Sequence, residues 1–291
     1  MNPSTNYILV PVDFSDKSMF GVEEAIRVAS IFDAELILLH VIKGVDPIWD
    51  LFDEKEQKLY IDRIKNRLCQ IVTGLPKGKN CKVTGMVEKG KLCDTILRVA
   101  IDKNVMCIVM GTSTADNIKK RIIGTNALRV VSEAQCPVIT VKGPHPREEI
   151  KTIVLPLDLS KETKEKVIYA IDFAKACGAK IFVVSMVTIN DEGILKRMEL
   201  QLNQVVNFVE KHGVSVFGEI VRCDDRAKGL IDYTNLHLGD MVVITTHQQL
   251  EIVSYFIGSF AAEIIHGLQV PVMSIVPKLK YKLIFNLPGT H

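Results

Sequence analysis

The chain has 291 residues, of which 47% are hydrophobic and 24% are charged, and its formal net charge at pH 7 is +2. A charge so close to neutral argues against a nucleic-acid binder, and no apolar run approaches the ~18 residues that a membrane helix needs. We therefore predict a protein that binds neither nucleic acid nor membrane, with a length that suits one large domain or two of ordinary size.

The cysteines and the amino terminus indicate the compartment. The seven cysteines never pair as CxxC, and several stand in apolar runs that resemble strands. The first residues, MNPSTNYILVPVDFSD, lack the basic segment and long apolar run of a signal peptide. We expect a reduced, cytoplasmic protein.

An internal repeat divides the chain. YILVPVDFSD begins at Tyr7 and TIVLPLDLSK at Thr152, an offset of 145, whereas QCPVITVK at Gln135 and QVPVMSIV at Gln269 are offset by 134, so the second copy is 11 residues shorter (145 − 134). Two prolines and a charge run in KGPHPREE predict a linker between the copies. We predict two copies of one domain and a tail, with the bounds 1–143, 149–277 and 278–291.

Each copy alternates apolar strands with amphipathic helices. In the first copy, short apolar runs predict strands at 7–12, 34–42, 81–88, 105–111 and 137–142. Apolar residues at helical spacing predict helices at 18–32, 48–72, 91–102 and 124–135. On the first of these helices, Glu23, Glu24 and Arg27 lie away from the apolar side. The alternation predicts an α/β fold of two tandem doubly wound domains, with parallel strands and helices on both faces.

An open doubly wound sheet binds ligands at the carboxyl ends of its strands. In the first copy, Asp13, Val41 and Gly111 stand at this edge. A carboxylate at Asp13 can hydrogen-bond a ribose hydroxyl or help hold a divalent ion; alternatively it caps the helix that follows. Both interpretations stay open at this point.

The stretch VMGTSTADNIKKRIIGTNA, residues 109–127, joins the fourth strand to the fourth helix. Gly111 lets a ligand approach the backbone closely, and Gly124 opens a helix whose free N–H groups and dipole suit an anion. The basic residues 119–121 can offset phosphate charge, or they are simply solvated. The stretch is a candidate phosphate-binding loop.

These residues resemble the universal stress protein family. The family pattern G-x2-G-x9-G-[S/T], followed about a dozen residues later by C-P-V, is similar to the segment from Gly111 to Val138, and ILVPVDFS and LLHVIK strengthen the likeness. The resemblance covers nearly all of both copies and implies a five-stranded parallel sheet of order 3-2-1-4-5 in each.

The resemblance also implies a ligand, because some members of that family bind ATP. The cofactor expected in the first copy is ATP, with or without Mg²⁺. Carried over to matching positions, the adenosine would lie beside Asp13 and the backbone of Val41. The ribose end would contact Met110, Gly111 and Thr112. The phosphates would contact Gly124, Thr125 and Asn126.

Two departures from the family pattern limit the expectation. Thr114 stands where the motif has its second glycine; if that position needs a positive φ, a β-branched residue costs on the order of 1–2 kcal/mol, but its hydroxyl can instead reach a phosphate. In the second copy the motif positions are Thr245, Gln248, Gly258 and Ser259, and the loop TTHQQLEIVSYFIG has no Lys or Arg. We predict that this copy does not bind ATP in the family's manner; its loop forms a contact surface or packs on its own helix.

The predicted function is that of a stress-response regulator that binds adenine nucleotide in its N-terminal domain. No GxSxG, HExxH or histidine spacing typical of a catalytic or metal site occurs, so we expect no catalytic residue and at most slow ATP hydrolysis. The alternative is a nucleotide-free interaction module in which both domains serve as contact surfaces. The copies can pair within the chain as a pseudo-dimer, or the chain can form a homodimer. The tail KLKYKLIFNLPGTH alternates with period two and predicts a strand.

Overall fold

The computed structural model describes residues 6–43, 52–75, 82–112, 125–144, 147, 149–158, 163–188, 191–246 and 258–277. In the first half, strands and helices alternate in the order β1 (Tyr7–Pro11), α1 (Asp16–Phe32), β2 (Glu35–Lys43), α2 (Glu54–Gly74), β3 (Val83–Gly90), α3 (Leu92–Asp102), β4 (Cys107–Gly111), α4 (Thr125–Glu133) and β5 (Val138–Val141). The second half repeats this order with β6 (Thr152–Leu157), α5 (Thr163–Cys177), β7 (Lys180–Val187), α6 (Glu192–Lys211), β8 (Val216–Arg222), α7 (Arg226–Leu236), β9 (Met241–Thr245), α8 (Ser259–Gly267) and β10 (Val272–Ile275). The predicted tail strand lies outside the described residues.

The described strands form one sheet of ten, in the order β3-β2-β1-β4-β5-β10-β9-β6-β7-β8. Each half therefore has the strand order 3-2-1-4-5, which confirms the predicted fold. The halves meet where β5 and β10 pair antiparallel, with Val272 opposite Thr140 and Ser274 opposite Val138. The Thr140 hydroxyl also donates to the Val272 carbonyl at 3.4 Å. The two domains thus pair within the chain through a continuous sheet.

Helices cover both faces of the sheet. Successive side chains of a strand point to opposite faces, so each buried strand contributes to the core on both sides. Ile8 and Val10 of β1 belong to the core under α1, α2, α5 and α6, whereas Leu9 belongs to the core under α3, α4, α7 and α8. The nearly continuous apolar strands predicted from sequence are explained by this arrangement, since both of their faces are buried.

Helix α2 begins later than predicted. It starts at Glu54, not at residue 48, because Asp53 and Glu56 form a capping box: Asp53 Oδ1 accepts from the Glu56 N–H at 2.8 Å, and Glu56 Oε2 accepts from the Asp53 N–H at 2.9 Å. The connection from β2 to α2 spans residues 44–53, whereas that from β7 to α6 spans only 188–191. Much of the length difference between the two copies lies in this connection.

The sequence did not predict the environment of Glu24, a charged residue of α1. Its side chain is buried and pairs with Arg27, whose Nη1 donates to the carbonyl of Arg147 in the interdomain linker at 3.1 Å. Helix α5 of the second domain lies beside this part of α1, with the Phe32 and Phe173 rings 5.1 Å apart. Glu24 is buried because the linker and the second domain cover a surface that would be exposed in a single domain.

Candidate functional site

A cavity of about 620 Å³ opens in the first domain at the carboxyl ends of β1, β2 and β4. This is the edge at which the doubly wound sheet was expected to bind a ligand. Six of the nine residues in the predicted site line it, namely Asp13, Val41, Met110, Gly111, Thr112 and Asn126. Of the other three, Thr125 is the first residue of α4, next to Asn126, and Thr114 and Gly124 lie outside the described residues.

The cavity has apolar walls and a polar rim. Leu39 and Val41 of β2, Ile96 of α3 and Met110 of β4 are buried side chains that line it. Charged groups at the rim come from the β1–α1 turn, the start of α1 and the end of β2: Asp13, Lys17 and Lys43. An apolar pocket with a few convergent polar groups is the usual construction of a small-molecule site.

Asp13 does not cap α1 directly. Ser15 is the N-cap, since its Oγ accepts from the Ser18 N–H at 3.3 Å. Asp13 Oδ1 in turn accepts from the Ser15 N–H at 3.0 Å and from the Ser15 hydroxyl at 2.5 Å. Partial burial acts to raise the pKa of Asp13, but the hydrogen bonds from Ser15, together with a smaller contribution from Ser18, lower the pKa below its ordinary value. An ionised carboxylate therefore stands at the cavity rim, held in place by the residue that starts α1.

The turn that carries Asp13 is shaped by Phe14 and His40. Phe14 has a φ of 66°, in the left-handed region that non-glycine residues rarely adopt. Its ring stacks on His40 at 4.7 Å between centroids, and His40 Nδ1 donates to the Val12 carbonyl at 2.8 Å. His40 is half-buried, and it lines the cavity as well as holding the turn.

Gly111 is required by the packing of α1 on β4. A Cβ at this position would stand 1.8 Å from the Lys17 carbonyl oxygen, and a Cβ at Gly21 would stand 2.9 Å from the Gly111 nitrogen. The first turns of α1 therefore lie directly against β4. The next residue, Thr112, is buried, and its hydroxyl donates to the Val141 carbonyl at 3.1 Å. Its side chain holds the end of β4 against β5.

Helix α4 points its amino terminus toward the cavity. Asn126, in its first turn, lines the cavity and accepts from the Cys93 thiol at 3.6 Å through Oδ1. The N–H groups of a first helical turn have no partner within the helix, so they can bind an anion. Arg129 of the same helix is already paired with Asp94 and, at 2.9 Å, with Glu133.

The matching site of the second domain is nearly closed. Its cavity measures about 10 Å³ and is lined by Asp158, Lys166, Arg226, Thr245 and Phe260, among others. The Arg226 guanidinium, at the start of α7, lies over the Phe260 ring at the start of α8, 5.4 Å from its centroid. Lys166 is buried.

The first domain has smaller or uncharged residues at the positions that match these side chains. At the offsets of the repeat, Lys166 corresponds to Gly21, Arg226 to Leu92 and Phe260 to Asn126. This difference was not part of the predicted site, although a residue-by-residue comparison of the two copies contains it. Of the predicted motif positions, Thr245 lines the closed cavity and Ser259 begins α8, while Gln248 lies outside the described residues.

Phe52 and Tyr60 were not predicted as site residues, but they line the open cavity from the connection before α2 and from α2 itself. The only available signal was an aromatic residue on a helix that otherwise has a charged surface.

Within the described ranges, no cluster of three or more His, Cys, Asp or Glu side chains is placed to hold a metal ion. Asp13 is one carboxylate, which fits an Mg²⁺ ion held mainly by nucleotide phosphates and water. None of the helices in these ranges combines the length and apolar composition that crossing a membrane requires.

Comparison with known proteins agrees with the repeat and the fold. The sequence model of the universal stress protein family matches residues 5–142 and 149–275. A universal stress protein of Methanocaldococcus jannaschii is 30% identical over 140 residues, which are 47% of this chain and 82% of that protein. Another from Thermus aquaticus is 28% identical over 138 residues, 46% of this chain and 97% of that protein.

A solved structure extends the likeness to both domains. A universal stress protein from Archaeoglobus fulgidus aligns with a TM-score of 0.76 at 18% identity and covers 94% of this chain and 96% of that one. At this identity the alignment shows the fold, including the paired arrangement of the two halves. With the family model matched in both halves, the chain belongs to the universal stress protein family.

Proposed function

We propose that the first domain binds ATP and that the protein acts as a stress-response regulator through this ligand. The observation that carries the proposal is the cavity of about 620 Å³ at the carboxyl ends of β1, β2 and β4, lined by six of the residues implied by the family motif. Its size falls within the range of about 300–1,000 Å³ that is usual for small-molecule sites.

The chemistry of the cavity suits the parts of a nucleotide. The apolar side chains Leu39, Val41 and Ile96 offer a surface for a base, and the ionised carboxylate of Asp13 offers an acceptor to a ribose hydroxyl. The phosphates would lie toward the amino terminus of α4, where free N–H groups favour negative charge. Lys17 and Lys43 at the rim add positive charge.

Nucleotide binding would regulate the protein by differential affinity. A ligand shifts an equilibrium only toward the state that it binds more tightly, and here α1, β4 and α4 all contact the same cavity. The domain bounds 1–143 and 149–277, the cytoplasmic location, the homodimer and an ATP hydrolysis that is at most slow stay predictions.

The experiment compares Asp13→Ala with Asp158→Ala, the matching change in the second domain. ATP should raise the melting temperature of the unchanged protein, because a ligand that binds only the folded state stabilises it by about 2.7 kcal/mol at 100 times its Kd. Asp13→Ala should reduce this rise and Asp158→Ala should leave it. An unchanged protein that gains no stability from ATP, and releases no nucleotide on heating, would contradict the proposal.

The interaction module remains the second candidate, for the second domain in particular. Its cavity of about 10 Å³ is far smaller than the range of about 300–1,000 Å³ that is usual for a small-molecule site. We propose that this domain serves as a structural partner for the first, through the β5–β10 pairing, rather than as a second nucleotide site.

A further inference from the structure

Helix α2 places one side chain of its buried stripe over the cavity instead of the core. Its two buried residues, Ile64 and Leu68, are one turn apart and belong to the core on that face of the sheet. Tyr60 lies one turn earlier on the same side of the helix. Tyr60 is not packed in the core: it lines the cavity at the carboxyl end of β2, and 46% of its surface is exposed.

A second aromatic side chain joins Tyr60 from the connection before the helix. Phe52 lines the same cavity and is 42% exposed. Its backbone is held by α2, because the Gln57 side-chain amide donates to the Phe52 carbonyl at 3.0 Å and the capping box at Asp53 fixes the start of the helix. We call Phe52 and Tyr60 the aromatic wall.

The aromatic wall belongs to the domain with the open cavity. Phe52 lies in the connection of residues 44–53 and Tyr60 in the helix that follows it, whereas the matching connection in the second domain, residues 188–191, is much shorter and leads to a site filled by protein side chains. Two large apolar side chains left partly exposed beside an apolar cavity indicate a surface intended for a ligand.

The wall faces a second apolar surface across the cavity. Helices α2 and α3 pack on opposite faces of the sheet, and α3 contributes Leu92 and Ile96 to the cavity lining. A flat group inserted at the end of β2 would therefore have aromatic rings on one side and aliphatic groups on the other. Nucleobases bind well in such places, since every base has a π-face that stacks on aromatic side chains.

We propose that the aromatic wall stacks on the base of the bound nucleotide and makes the site select purine over pyrimidine nucleotides. The inference rests on the proposed nucleotide site and adds the residues that read the base. The selectivity follows from the area of stacking contact, because the two fused rings of a purine cover more of the aromatic wall than the single ring of a pyrimidine. The phosphate end of the site is unaffected by this choice.

The experiment measures the affinities for ATP and CTP, which share the ribose and triphosphate and differ in the base. Isothermal titration of the unchanged protein should give tighter binding of ATP. Phe52→Ala with Tyr60→Ala should weaken ATP binding about tenfold or more, as base stacking on aromatic side chains would predict, and should change CTP binding less. Tyr60→Phe, which keeps the ring, should retain the preference for ATP.

Leu59→Ala is the matched control, because Leu59 neighbours Tyr60 on α2, is 54% exposed and does not line the cavity. It should leave both affinities unchanged. Ring-current shifts of the Tyr60 ring protons on addition of ATP provide an independent readout of stacking. Melting temperatures of the ligand-free variants establish that each is folded.

The outcomes separate the inference from the proposed function. If the unchanged protein prefers ATP and the double alanine variant keeps the same preference, the aromatic wall does not read the base and the inference is overturned while the nucleotide site stands. If the unchanged protein binds neither nucleotide, the proposed function fails and the inference fails with it. Loss of the preference in the double variant, with the control unaffected, would support both.

Discussion

The Arg226 guanidinium lies over the Phe260 ring, with its Cζ atom 5.4 Å from the ring centroid. The two side chains come from the starts of α7 and α8, so their contact spans the site that matches the open cavity of the first domain. A cation over an aromatic face contributes about 0.5–1 kcal/mol when exposed and more when desolvated. One pair of side chains thus helps close the second site.

Transferring this pair to the first domain should close the open cavity. In Leu92→Arg with Asn126→Phe, we expect the ATP-dependent rise in melting temperature to disappear, because the new side chains would occupy the cavity. The reverse changes in the second domain, Arg226→Leu with Phe260→Asn, leave the first site untouched and serve as the control. Retention of the ATP response in the first variant, in a protein that folds normally, would show that occlusion is not what separates the domains.

Gly111→Ala should destabilise the protein. The added Cβ would stand 1.8 Å from the Lys17 carbonyl oxygen, and since the obstacle is backbone, α1 or β4 must shift. Overpacking of this kind costs about 1–3 kcal/mol in the free energy of unfolding, which urea denaturation measures. Gly143→Ala is the control, because its Cβ would meet no atom within 4 Å. Equal stability of the two variants would contradict the close packing of α1 on β4.

The stability contributed by Asp13 should depend on pH. Its pKa in the folded protein is lowered from 3.8 because the hydrogen bonds from Ser15, together with a smaller contribution from Ser18, outweigh the effect of burial, so the folded state favours the ionised form. The contribution is therefore present above the ordinary carboxyl pKa and is lost as the pH falls through the lower folded-state value. The difference in free energy of unfolding between the unchanged protein and Asp13→Asn should be constant from pH 7 to about pH 5 and shrink in stronger acid. A difference that grows as the pH falls would contradict this assignment.

Asp240 should matter more to stability than its ionic partner Arg147. The Asp240 side chain is buried, pairs with Arg147, and Oδ2 accepts from the N–H groups of Lys151 and Thr152 at 2.9 Å each. Asp240→Ala removes the acceptor from both backbone groups and should lower the free energy of unfolding by about 3 kcal/mol. Arg147→Ala leaves those two bonds in place, and since Arg147 is partly exposed the loss should be nearer to about 1 kcal/mol. Urea denaturation distinguishes the two, and a larger effect of Arg147→Ala would contradict this ranking.

Much of the fold can be predicted from the sequence. The repeat of YILVPVDFSD and TIVLPLDLSK predicts two like domains, and apolar runs predict β1 and β2 within a residue or two because buried strands need them. The order 3-2-1-4-5 came from the family resemblance and is confirmed by the sheet. Helix α2 was placed too early because charged, amphipathic residues continue past its start, whereas the capping box at Asp53 decides where it begins.

The candidate site was predicted in part. Asp13 and Gly111 could be located because they stand at the ends of predicted strands, and such positions are visible in a linear pattern, whereas Asn126 came from the family resemblance. Tyr60 and Phe52 could not be located in this way. Nothing in the local sequence distinguishes an aromatic residue that lines a cavity from one that packs in a core. Lys166 differs, because a comparison of the two copies shows that Gly21 stands at its position in the first one, whereas its burial is visible only in the packed structure.

Local spacing of apolar residues, glycines and helix caps is therefore enough to establish two doubly wound domains and the edge at which a ligand would bind, because secondary structure follows from short-range patterns. Whether that edge is open or filled depends on side chains from different helices, namely α1, α2, α3 and α4 or their counterparts in the second domain. These side chains meet only when the helices have packed on both faces of the sheet. Glu24 shows the same limit, since a linker and a second domain that are distant in sequence turn an exposed position into a buried one.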